Sequence, residues 1–162
     1  VIPLLDLTPF YQRALANNEV KNGSFKLTSD YSPLGGVVWV NGNVKISNGS
    51  VNGCIVATGD IEISTSDSLS SVNGFPLLIS RDGNIKITST PELSGLVYAR
   101  GGKIDWKGGG TLTGSIIAAG DLDKGGGSDL IIQFTPAVPS IPDAPDAATN
   151  STDYVIISAW QD

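Results

Sequence analysis

Closely spaced carboxylates beside glycines are the first candidates for chemistry in this 162-residue sequence. Asp121 and Asp123 precede a glycine, and Asp129 follows it. Such a loop suits Ca²⁺, which takes about six to eight oxygen ligands. The full pattern of an EF-hand is not met, because its third ligand position and its terminal Glu are absent. Asp121 and Asp123 also occupy the same positions of a repeat as Asp60 and Glu62, so a structural role is the alternative to a Ca²⁺ site.

A second hypothesis concerns glycoside chemistry, which uses two convergent carboxyl groups in a cleft. Asp60, Glu62 and Asp105 supply acids, and many β-helix proteins degrade polysaccharides. Here, however, the acids are predicted to share one strand face with Lys45 and Lys86. We therefore expect solvated structural carboxylates and no catalytic residues.

Basic and aromatic residues offer a binding chemistry instead. Arg81 and Arg100 occupy equivalent positions of neighbouring repeats, and together with Lys103 and Lys107 they could contact phosphate or an acidic glycan. The alternative is a solvated corner. The aromatic candidates for stacking on sugars or bases, with core packing as their alternative, are Trp39, Tyr98 and Trp106.

Composition narrows the classes of function. The sequence has no His and a single Cys, which excludes a His-based triad, a His–Zn site, an internal disulfide and a thiolate metal cage. Cys54 is expected to be a small core hydrophobe. A net charge of −6 argues against a nucleic-acid partner, and no apolar run predicts direct membrane insertion. Because the sequence begins with Val1 and not with Met, we expect a processed product or an excised fragment from which any signal or anchor has been removed.

A repeat must position these residues. Each copy reads as a short apolar strand, a glycine turn and an alternating strand, and a third apolar element ending in glycine begins at Val51, Val72, Leu93 and Leu112. The turn glycines, predicted to be structural, are Gly42, Gly59, Gly83, Gly102 and Gly120. The five copies span residues 36–47, 53–64, 76–88, 95–106 and 114–124.

The alternation predicts an all-β fold, a right-handed parallel β-helix of about five turns. Stacked copies would bury one face of the second strand, comprising Val44/Ile46, Ile61/Ile63, Ile85/Ile87 and Ile104/Trp106. The outward column reads Lys45, Glu62, Lys86, Asp105 and Asp123, with the first four alternating in sign.

The first strand is apolar on both faces and needs a cover. We predict a helix over residues 8–19 alongside the solenoid, with Thr8 as its cap, Pro9 in its first turn, and Phe10, Ala14 and Leu15 as its apolar stripe. The sequence leaves open which residues of the first copy face inward, Val37/Trp39 or Val38/Val40. The predicted organisation is a helix and capping segment (1–34), the β-helix (35–134), a Pro-rich linker (135–153) and a C-terminal strand (154–162).

The C-terminal strand is too apolar to stand alone. Its candidate assembly residues are Tyr154, Val155, Ile156, Ile157 and Trp160. The strand either returns to this solenoid or adds to a neighbouring molecule.

The order of these motifs carries a resemblance. PFYQRALANNE precedes VWVNGNVKIS, turns such as GCIVATGDIEIS and GSIIAAGDLD follow, and YVIISAWQD closes the chain. This pattern resembles the C-terminal solenoid region of PilX-type, type IV pilus-associated bacterial proteins, without their hydrophobic N-terminal helix. The resemblance implies an extracellular, pilus-linked location and partners among pilin-like or cell-surface proteins.

The resulting expectation is a non-enzymatic structural or adhesion module without cofactors. The runner-up is a filament subunit that binds copies of itself, because solenoid ends expose strand edges. Ice binding, DNA uptake and polysaccharide processing are further alternatives.

Overall fold

A computed structural model describes residues 5–125, 129–135 and 140–142. In these residues, fifteen parallel strands wind into a β-solenoid, and one helix, α1 (Thr8–Ala16), lies beside it. One of the two sheets has six strands, one for each turn, which gives six turns. The predicted all-β solenoid with a short N-terminal helix is confirmed, with one turn more than the repeat predicts.

The solenoid has two sheets that share one core. The nine-stranded sheet comprises β1 (Val20–Asn22), β3 (Val37–Asn41), β5 (Val51–Asn52), β6 (Cys54–Ala57), β8 (Ser68–Ser70), β9 (Leu78–Ser80), β11 (Glu92–Ala99), β13 (Gly110–Ala118) and β15 (Leu130–Phe134). The six-stranded sheet comprises β2 (Phe25–Leu27), β4 (Val44–Ile46), β7 (Ile61–Ile63), β10 (Ile85–Ile87), β12 (Ile104–Trp106) and β14 (Leu122–Lys124).

The six-stranded sheet has the predicted register. Ile61 pairs with Ile85, which pairs with Ile104, so that like side chains stack from turn to turn in the core. Fully burying one such side chain contributes about 1.5–3 kcal/mol. No single turn can bury its own apolar face, and stacking the turns therefore supplies most of the stability.

The nine-stranded sheet is buried on both faces beside α1. Val38 and Val40 point into the core between the sheets, whereas Val37 and Trp39 pack on the outer face in a second apolar cluster. This second cluster includes Phe10 and Ala14 of α1. The structure thus answers the question that the sequence left open about the first strand.

Three details of the predicted helix are wrong. Thr8 does not cap it: Leu7 occupies the cap position, and the Thr8 N–H instead donates to Asp6 Oδ1 at 3.0 Å. Leu15 is 57% exposed and does not belong to the apolar stripe. The helix also ends at Ala16, because Asn18 takes a left-handed conformation with φ 58°.

The solenoid begins before the predicted boundary at residue 35. β1 pairs with β3 and β2 pairs with β4, so residues 20–27 form a first turn inside the segment predicted to be a cap. The sequence hides this turn because β1, Val-Lys-Asn, lacks the apolar run of the later first strands.

The third element of the repeat begins at a different residue than predicted in the copy before β9. Leu69, not Val72, pairs with Val51 and with Leu93. Seven residues, 71–77, separate β8 from β9. In the next turn the corresponding positions lie on one continuous strand, β11, with only residues 95 and 96 between them. The insertion buries Phe75 against the second apolar cluster.

The segment after β15 comes back to the side of the solenoid. The Ser140 N–H donates to the Gly74 carbonyl at 2.7 Å, and Ile141 packs against the second apolar cluster. The predicted Pro-rich linker therefore contacts the solenoid at residues 140–142. The predicted C-terminal strand with Tyr154, Val155, Ile156, Ile157 and Trp160 lies outside the described residues.

Candidate functional site

The carboxylate of Asp60 belongs to a ladder of side chains that joins successive turns. The Asp60 N–H donates to Asn43 Oδ1 at 2.8 Å, and the Asn84 N–H donates to Asp60 Oδ1 at 2.8 Å. The Lys103 N–H continues the ladder by donating to Asn84 Oδ1 at 2.9 Å. Each side chain follows a turn glycine, and its oxygen satisfies a backbone donor of the next turn.

The turn glycines make room for this ladder. A Cβ at Gly102 would lie 2.2 Å from the Gly83 carbonyl oxygen, and one at Gly83 would lie 2.4 Å from Asp60 Oδ1. A Cβ at Gly59 would meet Asn43 Oδ1 at 2.1 Å, and one at Gly42 would meet the Gly23 carbonyl oxygen at 2.5 Å. Gly120, at the last of these corners, has more space, since its nearest neighbour would be 3.4 Å away.

The outward acids of the six-stranded sheet lie in a column with lysines. Lys45 Nζ lies 3.8 Å from Glu62 Oε1. Lys107 Nζ lies 3.8 Å from Asp105 Oδ2. Asp105 thus forms its ion pair with Lys107 and not with Lys86, its neighbour on the adjacent strand. Because Lys86 separates Glu62 from Asp105 in this column, the two acids do not converge on one cleft.

The three residues predicted for Ca²⁺ are not brought together. Asp123 lies beside Asp105 in the parallel register, as its repeat position indicates. Asp129 bonds to the neighbouring turn through its backbone: its carbonyl oxygen accepts a hydrogen bond from the Gly110 N–H at 3.1 Å. In residues 5–125, 129–135 and 140–142, no group of three His, Cys, Asp or Glu side chains is placed to hold a metal ion.

A pocket of about 490 Å³ opens between residues 6–11, which include the start of α1, and the C-terminal ends of β3, β9 and β11 in the nine-stranded sheet. One wall comes from the start of the chain and is formed by Asp6, Leu7, Thr8 and Tyr11. The other wall comes from the sheet and is formed by Trp39, Asn41, Arg81 and Arg100. The pocket thus joins two groups of candidates that the sequence treats separately, the arginines and an aromatic residue.

The two arginines directly follow adjacent strands, Arg81 after β9 and Arg100 after β11. The Arg100 N–H donates to the Ser80 carbonyl at 2.9 Å, which places Arg100 directly beside Arg81 in the parallel register. Arg81 Nε donates to Asp82 Oδ2 at 2.9 Å. Arg100 Nε is buried and has no hydrogen-bond partner in the part of the chain that the structure describes. A buried donor of a charged group without a partner is costly, so Arg100 is the residue in this pocket that most needs an acceptor.

Aromatic side chains support the sheet wall. The rings of Tyr11 and Trp39 meet edge to face, with centroids 5.2 Å apart. Trp39 Nε1 donates to Asn41 Oδ1 at 2.9 Å, and Asn41 Nδ2 donates to Asn22 Oδ1 at 2.9 Å. Since these bonds fix the Asn41 amide, its remaining hydrogen-bonding capacity has a defined direction.

The pKa of Tyr98 is affected by its burial and by the nearby charge of Arg100. Burial raises the pKa of Tyr98, while a hydrogen bond from the Leu5 N–H and the charge of Arg100 act in the opposite direction. Leu5 N lies 3.5 Å from the Tyr98 hydroxyl oxygen. Tyr98 therefore ties the segment before α1 to the sheet and is itself 1% exposed.

The other sequence candidates lie away from the pocket. Lys103 and Lys107 belong to the six-stranded side of the solenoid, and neither lines the pocket. Trp106 is fully buried in the core, where its Nε1 donates to the Gly109 carbonyl at 2.9 Å. Cys54 is also buried, and burial raises the pKa of its thiol, as expected for a core hydrophobe.

Sequence reasoning missed Asp6, Asn41 and Tyr11 as pocket residues. The sequence does contain a signal for Tyr11: it is an aromatic residue on the predicted helix that lies outside the apolar stripe of Phe10 and Ala14. It also missed Glu19, which is 8% exposed and accepts hydrogen bonds from the Tyr31 hydroxyl and the Leu34 N–H. No periodicity marks Glu19, since it lies between the helix and β1.

Comparison of the chain with models of known protein families, with curated proteins and with solved structures finds no match. Within the described residues, the only α-helix, α1, has nine residues, and no helix is long and apolar enough to cross a bilayer.

Proposed function

We propose that this chain is a non-enzymatic structural or adhesion module displayed outside the cell, on type IV pili or on the cell surface. The observation that carries the proposal is the pairing of a laddered, parallel solenoid with one pocket of binding-type residues. A solenoid presents an extended surface whose parts hold fixed positions, which suits display and recognition. The pilus association rests on the resemblance of the sequence to PilX-type proteins.

The use of the acidic residues supports a scaffold. Asp60 bridges turns through the backbone, and Asp30 Oδ1 accepts from the Ser50 N–H at 2.9 Å. Asp67 Oδ2 accepts from the Gly49 N–H at 3.0 Å. These carboxylates satisfy the backbone donors of neighbouring turns, and their geometry serves the stacking of the coil.

The location is tested by immunogold labelling with antibodies raised against this domain. Intact producing cells and sheared pilus fractions are labelled, and cells that lack the gene provide the control. We expect gold on the cell surface and in the pilus fraction. Labelling that requires permeabilised cells would contradict the proposal.

A second candidate is a filament subunit, and the end of the solenoid favours it. Within the described residues, β14 and β15 are the last strands of their sheets. Three large apolar side chains are exposed there: Leu122 at 48%, Ile131 at 63% and Phe134 at 65%. An apolar strand edge is a template for pairing with another copy.

Light scattering and negative-stain microscopy over a concentration series distinguish the two candidates. A display module remains a monomer of 16.8 kDa. Regular filaments that disappear when Ile131 and Phe134 are replaced by Ser would support the filament subunit instead.

A further inference from the structure

The pocket between residues 6–11 and the nine-stranded sheet contains a cationic side chain, Arg100. Arg100 Nε is buried and lacks an acceptor in the described part of the chain, although the residue lines an open pocket. The other polar side chains of the sheet wall bond to neighbours within the protein: Trp39 to Asn41, Asn41 to Asn22, and Arg81 to Asp82. Because the Arg100 side chain lines the pocket, a negatively charged ligand there can pair with its guanidinium, and this pairing would offset the cost of the unpartnered Nε.

The shape of the guanidinium selects the kind of acceptor. Its planar fork of N–H groups matches a carboxylate through two parallel hydrogen bonds, which are stronger than bonds between neutral groups. Arg81 stands beside Arg100, about 4.8 Å away along the sheet, as adjacent strands require. Arg81 shares its charge with Asp82, so Arg100 is the main anchor for an anion and Arg81 assists.

The remaining lining indicates a ligand larger than a simple anion. Asp6 and Asn41 can accept or exchange hydrogen bonds with hydroxyl groups, and Tyr11 presents an aromatic wall. Asp6 also adds a negative charge, which disfavours a small, highly charged anion and favours a ligand with one carboxylate and several hydroxyls. The volume of about 490 Å³ lies within the range of about 300–1,000 Å³ for small-molecule sites.

We infer that the pocket binds a hexuronate, the carboxylate-bearing sugar unit of an acidic polysaccharide. Arg100 holds the carboxylate, with Arg81 beside it, while Asp6 and Asn41 bind ring hydroxyls. This inference rests on the proposed adhesion function and names its ligand class. It requires no chemical step, because the sugar is bound and released unchanged.

The first test compares two sugars that differ at one carbon. The purified chain is titrated with galacturonate and with galactose, and binding is followed by calorimetry. For a ligand of this size we expect a dissociation constant on the order of 1 mM for galacturonate. Galactose, which lacks the carboxylate, should bind at least about tenfold more weakly.

Matched variants locate the site. Arg100→Gln should weaken galacturonate binding at least about tenfold, and Arg100→Lys should give an intermediate loss because it keeps the charge but not the fork. Lys86→Gln removes the same charge from the outer face of the six-stranded sheet and should change affinity by less than about twofold. Arg81→Gln provides the second pocket variant if Arg100→Gln does not fold.

Three results would overturn the inference. No heat of binding at about 20 mM galacturonate would show that the pocket takes no hexuronate. Equal affinities for galacturonate and galactose would remove the role of the arginines. Displacement of galacturonate by an equal concentration of sulfate would show an anion site without sugar recognition. Immunogold labelling is independent of all three, so a failed sugar titration leaves the location of the module to be judged separately.

Discussion

The outer face of the six-stranded sheet meets solvent, whereas the outer face of the nine-stranded sheet is buried beneath α1 in its first turns. The first sheet alternates strictly, with apolar residues inward and Lys45, Glu62 and Lys86 outward. The second carries an outer column of Trp39, Val56, Ile79 and Tyr98, all at most 5% exposed. In the described residues, the pocket lined by Arg81 and Arg100 lies between this covered sheet and the layer that packs on it.

This difference separates a sheet that supports the coil from a sheet that carries the proposed binding pocket. The six-stranded sheet and its corner ladder hold the turns in register. The nine-stranded sheet uses its outer face to dock α1, and the pocket opens where that cover ends, beside Arg81 and Arg100. We therefore expect substitutions on the two sheets to differ in their effects on stability and on binding.

The cover on the nine-stranded sheet gives the largest expected effect. Phe10 is fully buried between α1 and the sheet, so Phe10→Ala should lower the free energy of unfolding by about 3–5 kcal/mol. Chemical denaturation measures this loss. Leu15→Ala, on the exposed side of the same helix, should change it by less than about 0.5 kcal/mol. Equal effects of the two variants would show that α1 is not docked as described.

The alternation of the six-stranded sheet predicts the next effect. Ile85 is fully buried and Lys86, the next residue, points outward. Ile85→Ala should cost about 2–5 kcal/mol in the free energy of unfolding, and Lys86→Ala less than about 0.5 kcal/mol. A larger loss for Lys86→Ala than for Ile85→Ala would mean that the register is shifted by one residue.

The corner between the sheets provides a matched pair of glycines. At Gly102 an added Cβ would lie 2.2 Å from a backbone oxygen of the previous turn, so Gly102→Ala should destabilise by about 1–3 kcal/mol or more. The same change at Gly120, where the nearest atom would be 3.4 Å away, should be much milder. Thermal unfolding of both variants tests the stacking, and similar melting temperatures would contradict it.

These pairs show what the sequence alone can predict. Strict alternation marks Ile85 and Ile104 as core residues, and glycines at a fixed offset mark the corners, so the solenoid and its register follow from pattern. Pattern fails where contacts are irregular. The insertion at residues 71–77 displaced the alignment of Val72, and the short first turn carried no apolar run. The pocket could not be predicted from the sequence pattern, because its two walls come from residues far apart in sequence, such as Asp6 and Arg100.

The smallest effect concerns pH and the start of the solenoid. Burial, together with the hydrogen bond to Glu19 and its charge, raises the pKa of Tyr31. The folded state thus retains a proton that the unfolded chain loses above about pH 10. Stability from this group is complete below the unfolded pKa and falls as pH rises toward the folded pKa. Tyr31→Phe should flatten the alkaline decline in the denaturation midpoint, leaving the parts that come from Tyr98 and Cys54, whose pKa values burial also raises. An unchanged alkaline slope would show that Tyr31 does not carry it.

The division between a supporting sheet and a recognising sheet is tested most directly by a nitrogen-15 NMR titration of the chain with galacturonate. We expect shifts that cluster at Asp6, the Trp39 indole, Asn41 and Arg100, with the six-stranded sheet unchanged. Shifts centred on the outward column of Lys45, Glu62 and Lys86, or no shifts at saturating sugar, would contradict it.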